Sequence, residues 1–153
     1  MEYLFHMVDK KDLLILSTLK QNSRLSSQQI SRITRIPITT VHNRVKKLET
    51  LGIIKGYTLV IDHKKIGKEL SAYILITVDY KLLKEKGSSQ HDLARLLAKN
   101  EYVEEVAMLT GVSDIIIRVR VSNIEQLDYF VTKYLRNIDG VEKTQTMIVL
   151  SSF

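Results

Sequence analysis

Apolar residues recur at helical spacing through the first third of this chain and at alternating spacing through much of the rest. From Asp9 to about Asn22, Ile15, Leu16 and Leu19 fall on one helical face. Asp9 suits the N-cap, and Asp12 completes an acidic variant of the capping box. Ser26 and Gln29 form a second box, of the Ser-x-x-Gln type, and predict a helix with Ile30 and Ile33 as its buried edge. Pro37 is the only proline. Its missing N–H does no harm in the first turn of a third helix, which the pattern carries to Leu51 and Gly52 closes. Residues 53–62 (IIKGYTLVID) alternate and predict a strand, the wing of this three-helix unit or the way out of it.

The second half has another rhythm. Strands are predicted at 71–80, 102–110, 114–121 and 141–150, and helices at 89–99 and 124–138. Leu93, Leu96 and Leu97 point inward from the first of these helices, and Leu127, Phe130, Val131, Tyr134 and Leu135 from the second. The order βαββαβ predicts an α+β, ferredoxin-like domain, an antiparallel sheet with helices on one face. Its first strand is apolar on both sides: Tyr73 and Leu75 on one, Ala72, Ile74, Ile76 and Val78 on the other. Two helices cover only one face, so a second sheet from another copy of the chain is expected to cover the other, giving a twofold homodimer. The alternative is cover by the linker or by the first domain.

Charge sharpens this division. The formal charge of +6 is concentrated in residues 1–65, with 12 Lys+Arg against 5 Asp+Glu, whereas residues 66–153 hold 11 against 12. The asymmetry suggests that one half meets a polyanion and the other does not; the plain alternative is a Lys-rich surface with no partner. The boundary is expected near residues 62–70, which gives domains at 1–62 and 71–153 joined by a linker at 63–70. At 44% hydrophobic and 26% charged, the 153 residues read as globular rather than disordered. Absence of cysteine excludes disulfides and thiolate metal sites and fits a cytoplasmic protein. The longest mostly apolar run, around Ala72–Val78, is too short for a membrane span. The first eight residues lack the pattern of a signal peptide, and Met7 is an alternative start. His6, His42, His63 and His91 have no metal-ligand spacing, and no phosphate-binding glycine loop or catalytic set is readable, so no cofactor is expected.

On the third predicted helix, Val41, Val45 and Leu48 form the buried stripe. Thr39, Asn43, Lys46 and Thr50 lie opposite, with His42 and Lys47 on the shoulders. A polar, basic face on such a helix fits the DNA major groove: Asn pairs with adenine, Lys with guanine or phosphate, and Thr with phosphate or a thymine methyl. The N-terminal half goes deepest, which points to Thr39, Thr40, His42 and Asn43 for bases or nearby phosphates. Lys46 and Lys47 suit phosphates. Arg44 falls close to the buried stripe, from where it either reaches a phosphate or pairs with an acidic neighbour. The plain alternative for the whole face is a solvated helix surface.

Four blocks in order, DKKDLLILSTLKQNSRLS (9–26), TTVHNRVKKLETLGIIKGY (39–57), LTGVSDIIIRV (109–119) and GVEKTQTMIVL (140–150), resemble the Lrp/AsnC family of transcription regulators, also called feast/famine regulatory proteins. The resemblance covers nearly the whole chain. It implies an N-terminal winged helix-turn-helix followed by a βαββαβ RAM domain, dimers through the RAM sheets, often octamers or larger species, and near-palindromic double-stranded DNA sites. It also implies an amino-acid effector held between dimers. Carried over by position, the effector residues are Thr110, Gly111, Val112, Ser113 and Asp114, with Thr144 and Thr146 on the last strand. Gly111 and the exposed N–H groups of the turn suit a carboxylate, and Asp114 an α-ammonium. The family often has a polar and then an aromatic residue before that aspartate, where this chain has Val112 and Ser113. A plain hairpin turn, with Asp114 as a turn acceptor, is the alternative. Some relatives with the same two-part fold decarboxylate a tetrapyrrole precursor, which gives an enzyme alternative involving sirohaem. A ligand-independent, chromatin-like architectural protein is a third reading.

Overall fold

The computed structural model describes residues 8–151, so Met7 and its reading as a start lie outside the described residues. The chain divides into two compact units between Ile61 and Asp62.

In the first unit, helix α1 spans Lys10–Gln21, α2 Ser27–Thr34 and α3 Ile38–Thr50. Both predicted capping boxes form. The Asp9 carboxylate accepts the N–H groups of Lys11 and Asp12, and Asp12 accepts that of Asp9 in return. Ser26 and Gln29 exchange the equivalent pair. Pro37 sits one residue earlier than expected, at the N-cap of α3, where its ring still spares the helix a donor. Gly52, at φ 66°, closes α3 with the Ile53 N–H reaching back to the Leu48 carbonyl at 2.9 Å. Ile15, Leu19, Ile30, Ile36 and Val41 form the core, with Val45 and Ile54 packed against it.

Two expectations fail in this unit. Ile33 is 59% exposed rather than buried, because Ile36, beyond the end of α2, turns in and fills that side of the core. The strand predicted over 53–62 is also missing: these residues form no ladder, and Leu59 is 77% exposed. Alternation makes a strand only when a neighbour supplies hydrogen bonds, and among the described residues this unit has no second strand.

In the second unit, His63–Ile66 make a single 3₁₀ turn, and four strands follow: β1 (Leu70–Val78), β2 (Val103–Met108), β3 (Ile115–Val121) and β4 (Val141–Ile148). They form an antiparallel sheet in the order β2-β3-β1-β4, the ferredoxin-like arrangement. Ala72, Ile74 and Ile76 lie opposite Val119, Ile117 and Ile115, and all six are buried. Over them lie helices α4 (Tyr80–Glu85), α5 (Gln90–Leu97) and α6 (Ile124–Tyr129), the last continuing through a π turn and a 3₁₀ turn to Asn137. Leu83, Leu93, Leu97, Leu127, Phe130 and Leu135 complete the core. Sequence periodicity missed α4, whose one fully buried residue, Leu83, leaves no period to detect. Leu96, expected to point inward, is exposed: on the short α5 only Leu93 and Leu97, one turn apart, face the sheet. Gly140 (φ 91°) is demanded by packing, since a Cβ there would lie 2.3 Å from Leu83 Cδ2. Tyr73, Leu75 and Ile116 lie on the other face of the sheet, half-buried, with Arg118 stacked over the Tyr73 ring. No helix among the described residues is long and apolar enough to cross a membrane.

Candidate nucleic-acid interface and effector turn

Helix α3 is anchored by Val41 and Leu48, both wholly buried. Its opposite side presents Thr39, His42, Asn43, Lys46 and Lys47 to solvent, with Thr40 half-buried at the edge. The predicted face therefore exists as a continuous polar and basic strip. Thr50 is also exposed, but its hydroxyl donates to the Lys46 carbonyl at 2.9 Å.

Arg44 does not share that strip. Its Nη1 donates to Asp9 Oδ2 at 2.6 Å and to Asp12 Oδ1 at 2.8 Å, so of its two possible roles it takes the acidic neighbours. The reason is the Asp12 carboxylate, which is fully buried and needs a cation. Lys47 Nζ lies 3.9 Å from the same carboxylate, so this residue faces both solvent and the α1 cap. Hydrogen bonding to Arg44 is the main reason why the Asp9 carboxyl is held below its ordinary value of 3.8, and the same bonds raise Arg44 above its ordinary value. The cluster ties the start of α1 to the middle of α3. Sequence reading found both carboxylates as caps but not their shared partner; the angular position of Arg44 beside the buried stripe was the available signal.

The turn between β2 and β3 is exposed at Thr110, Gly111 and Val112, with Val112 at 99%. Gly111 adopts φ 132°, which favours glycine. Asp114 is held tightly. Its Oδ2 accepts the Val78 N–H at 2.8 Å and its Oδ1 accepts the Tyr80 hydroxyl at 2.8 Å. Its own N–H donates to the Ile76 carbonyl, and its carbonyl accepts from Leu109 N–H and Gln90 Nε2. Asp114 thus pins the turn to β1, α4 and α5, and the free carboxylate expected for an α-ammonium is already engaged at both oxygens. A carboxylate has about four lone-pair sites, so each oxygen retains capacity for a further donor. Tyr80 and Gln90 were not among the expected site residues; they lie on helices too short or too far away in sequence to signal this contact.

Thr144 and Thr146 lie opposite Ile76 and Ile74 on the edge strand β4. Thr144 Oγ1 accepts from Arg136 Nε at 3.3 Å. Since β1 separates β4 from β3, these threonines stand roughly 10 Å, two strand spacings, from β3, which Asp114 immediately precedes. Within one chain the two groups lie on opposite sides of β1.

The Tyr80–Asp114 bond has a titration consequence. It is the main reason why the Tyr80 phenol is raised above its ordinary 10.0, so the stabilisation it brings is complete below about pH 10 and is lost as pH rises through the raised value. Asp114→Asn is expected to bring Tyr80 back towards 10.0. Alkaline absorbance titrations, differenced against Tyr80→Phe, check this; an unchanged Tyr80 component would mean that the bond does not persist in solution.

A helix-turn-helix with a polar recognition face, joined to a ferredoxin-like unit, defines a class of two-part DNA-binding regulator. Residues 8–55 match the family model for winged helix-turn-helix DNA-binding, and residues 71–153 match that for the Lrp/AsnC ligand binding domain. An uncharacterized HTH-type transcriptional regulator of Pyrococcus furiosus is 36% identical over 94% of this chain and 91% of its own length. Among solved structures, a transcriptional regulator of Neisseria meningitidis in complex with L-Met superposes with a TM-score of 0.85, at 25% identity, over 94% of this chain and 90% of that one. E. coli AsnC matches with a TM-score of 0.78, at 27% identity, over 95% and 93%. The chain belongs to the Lrp/AsnC family and is a transcriptional regulator of that type.

Proposed function

We propose that this regulator binds near-palindromic double-stranded DNA as a twofold pair of chains, each placing α3 in a major groove. Grooves on one side of the duplex recur roughly every 34–36 Å, so half-sites should be spaced by one helical turn or a multiple of it. The observation that carries this reading is the exposed strip of Thr39, His42, Asn43, Lys46 and Lys47 on a helix whose other side is buried. In the proposed division of labour, residues 1–62 engage DNA, 63–70 connect, and 71–153 assemble the chains through the sheet face that carries Tyr73, Leu75 and Ile116. The work is done in the cytoplasm without enzymatic turnover.

An amino acid modulates this activity in the proposal. The relative solved with L-Met supports an effector of that class. The turn Thr110–Asp114 of one chain, with Thr144 and Thr146 contributed across a contact between dimers, would form its site. The separation of these two groups within one chain is the reason for a shared site, and effector binding would then shift assembly towards octamers or larger species.

Selection of genomic DNA fragments, with and without a pool of amino acids, tests binding, specificity and effector response together. Wild type should recover a near-palindromic motif, and the pool should change its recovery. Asn43→Ala should weaken the preference at one base pair of each half-site by about 1–3 kcal/mol while leaving non-specific binding intact. A motif that survives Asn43→Ala unchanged would remove that residue from the readout, and a selection no better than random DNA would remove the reading itself.

A further inference from the structure

Arg35, in the turn between α2 and α3, adopts a left-handed backbone conformation (φ 59°, ψ 21°). It is the only residue other than glycine with a positive φ among the described residues. An L side chain is strained there, and glycine or asparagine enters the region far more readily.

The surrounding contacts force the conformation. Ile36 is buried in the core against Ile15, Leu19, Ile30 and Val41. Its carbonyl accepts the Ser31 hydroxyl at 2.6 Å, and its N–H reaches Thr34 Oγ1 at 3.4 Å. The Thr34 hydroxyl in turn donates to the Ile30 carbonyl. With α2 ended on one side and Ile36 fixed on the other, position 35 has to bridge them in the left-handed region. Strain of this kind persists where the neighbours over-determine it, and it clusters at functional sites.

Nothing among the described residues accounts for an arginine here. The side chain is exposed and makes no hydrogen bond or ion pair among the described residues. It stands two residues ahead of Pro37, the N-cap of α3, and so beside the end of that helix which goes deepest into the groove. Arg32, exposed in the last turn of α2 three residues earlier, adds a second cation close by in the chain. A guanidinium offers five donors in a planar fork that matches a phosphate.

We propose that Arg35 is a phosphate-binding residue of the DNA interface, kept in a strained turn for its charge. The inference rests on the reading of α3 as the DNA-facing helix and adds to it a contact from outside that helix. The role predicts an opposition between stability and binding that a structural arginine would not produce.

The test uses the full chain with a DNA fragment recovered by selection and a random fragment of equal length. Arg35→Gly should raise the thermal unfolding midpoint, because it relieves the turn. It should nonetheless weaken binding to both fragments by a similar factor and make the slope of log affinity against log salt less steep by about 0.9, the share of one phosphate. Arg35→Gln, which keeps most of the side chain without its charge, should show the same change of slope. Arg35→Lys should retain the wild-type slope. If Arg35→Gly and Arg35→Gln keep wild-type affinity and slope while Lys46→Ala weakens binding, Arg35 is not a DNA contact and the proposal is overturned. If Lys46→Ala has no effect either, the assignment of α3 falls with it.

Discussion

Replacing Arg44 by alanine is expected to lower the stability of the helix-turn-helix unit by about 2 kcal/mol. The loss comes less from the missing attraction than from what is left behind. Asp12 is fully buried, and without Arg44 its carboxylate is left with Lys47 Nζ at 3.9 Å. A wholly buried pair broken in this way costs roughly 3–5 kcal/mol; the smaller figure applies here because the Arg44 side chain keeps 23% of its surface in water. Denaturant titration of the wild type and variant reads the change. Adding Asp12→Ala to Arg44→Ala should recover part of the loss, since the stranded charge is then gone. If the double variant is as unstable as the sum of the two single ones, the residues are not coupled.

The same cluster sets the response to acid. The Asp9 carboxyl is lowered in the folded state, first by the Arg44 hydrogen bond, so the stability it brings is present above the unfolded value near 3.8. It is lost as pH falls through the lower folded value. The acid limb of the stability profile, below about pH 4, should therefore be shallower in Arg44→Ala than in wild type.

The second large effect concerns DNA. Removing both Lys46 and Lys47 by alanine substitution should weaken binding to every sequence and make the salt slope less steep by about 1.8, the share of two phosphates. Such changes amount to a loss of roughly 10- to 100-fold at moderate salt, from two contacts of this kind. Lys47 also lies near Asp12, so the unfolding midpoint of the double variant must be measured beside its affinity. Lys46 provides the clean comparison, because it is exposed and makes no ion pair among the described residues. An unchanged slope with intact folding would show that α3 docks in another orientation or does not dock.

Much of this molecule was readable before any coordinates. Both capping boxes, the three N-terminal helices, the βαββαβ order and the inward set Ala72, Ile74, Ile76 and Val78 follow from local chemistry, since a cap or an alternation needs only neighbours a few residues away. The outer strip of α3 followed for the same reason. Failures occurred where the deciding partner was distant or missing. Residues 53–62 alternate like a strand yet find none to pair with, and Ile33 and Leu96 carry helical spacing without being the residues the core selects. Asp114 reads as a turn aspartate, but Val78 and Tyr80, both more than 30 residues earlier, decide where its carboxylate points.

The sequence by itself determined that the chain has two parts, that the basic one carries a helix with a polar outer face, and that the other is a layered α+β unit. Periodicity and capping are local, and net charge needs no coordinates at all. Only the tertiary structure decided which cation answers the buried Asp12, that Arg44 pairs with the α1 carboxylates, and that the packing of Ile36 holds Arg35 in a left-handed turn beside α3. Each of these depends on charges and volumes meeting across segments that the core brings together, which no local pattern encodes.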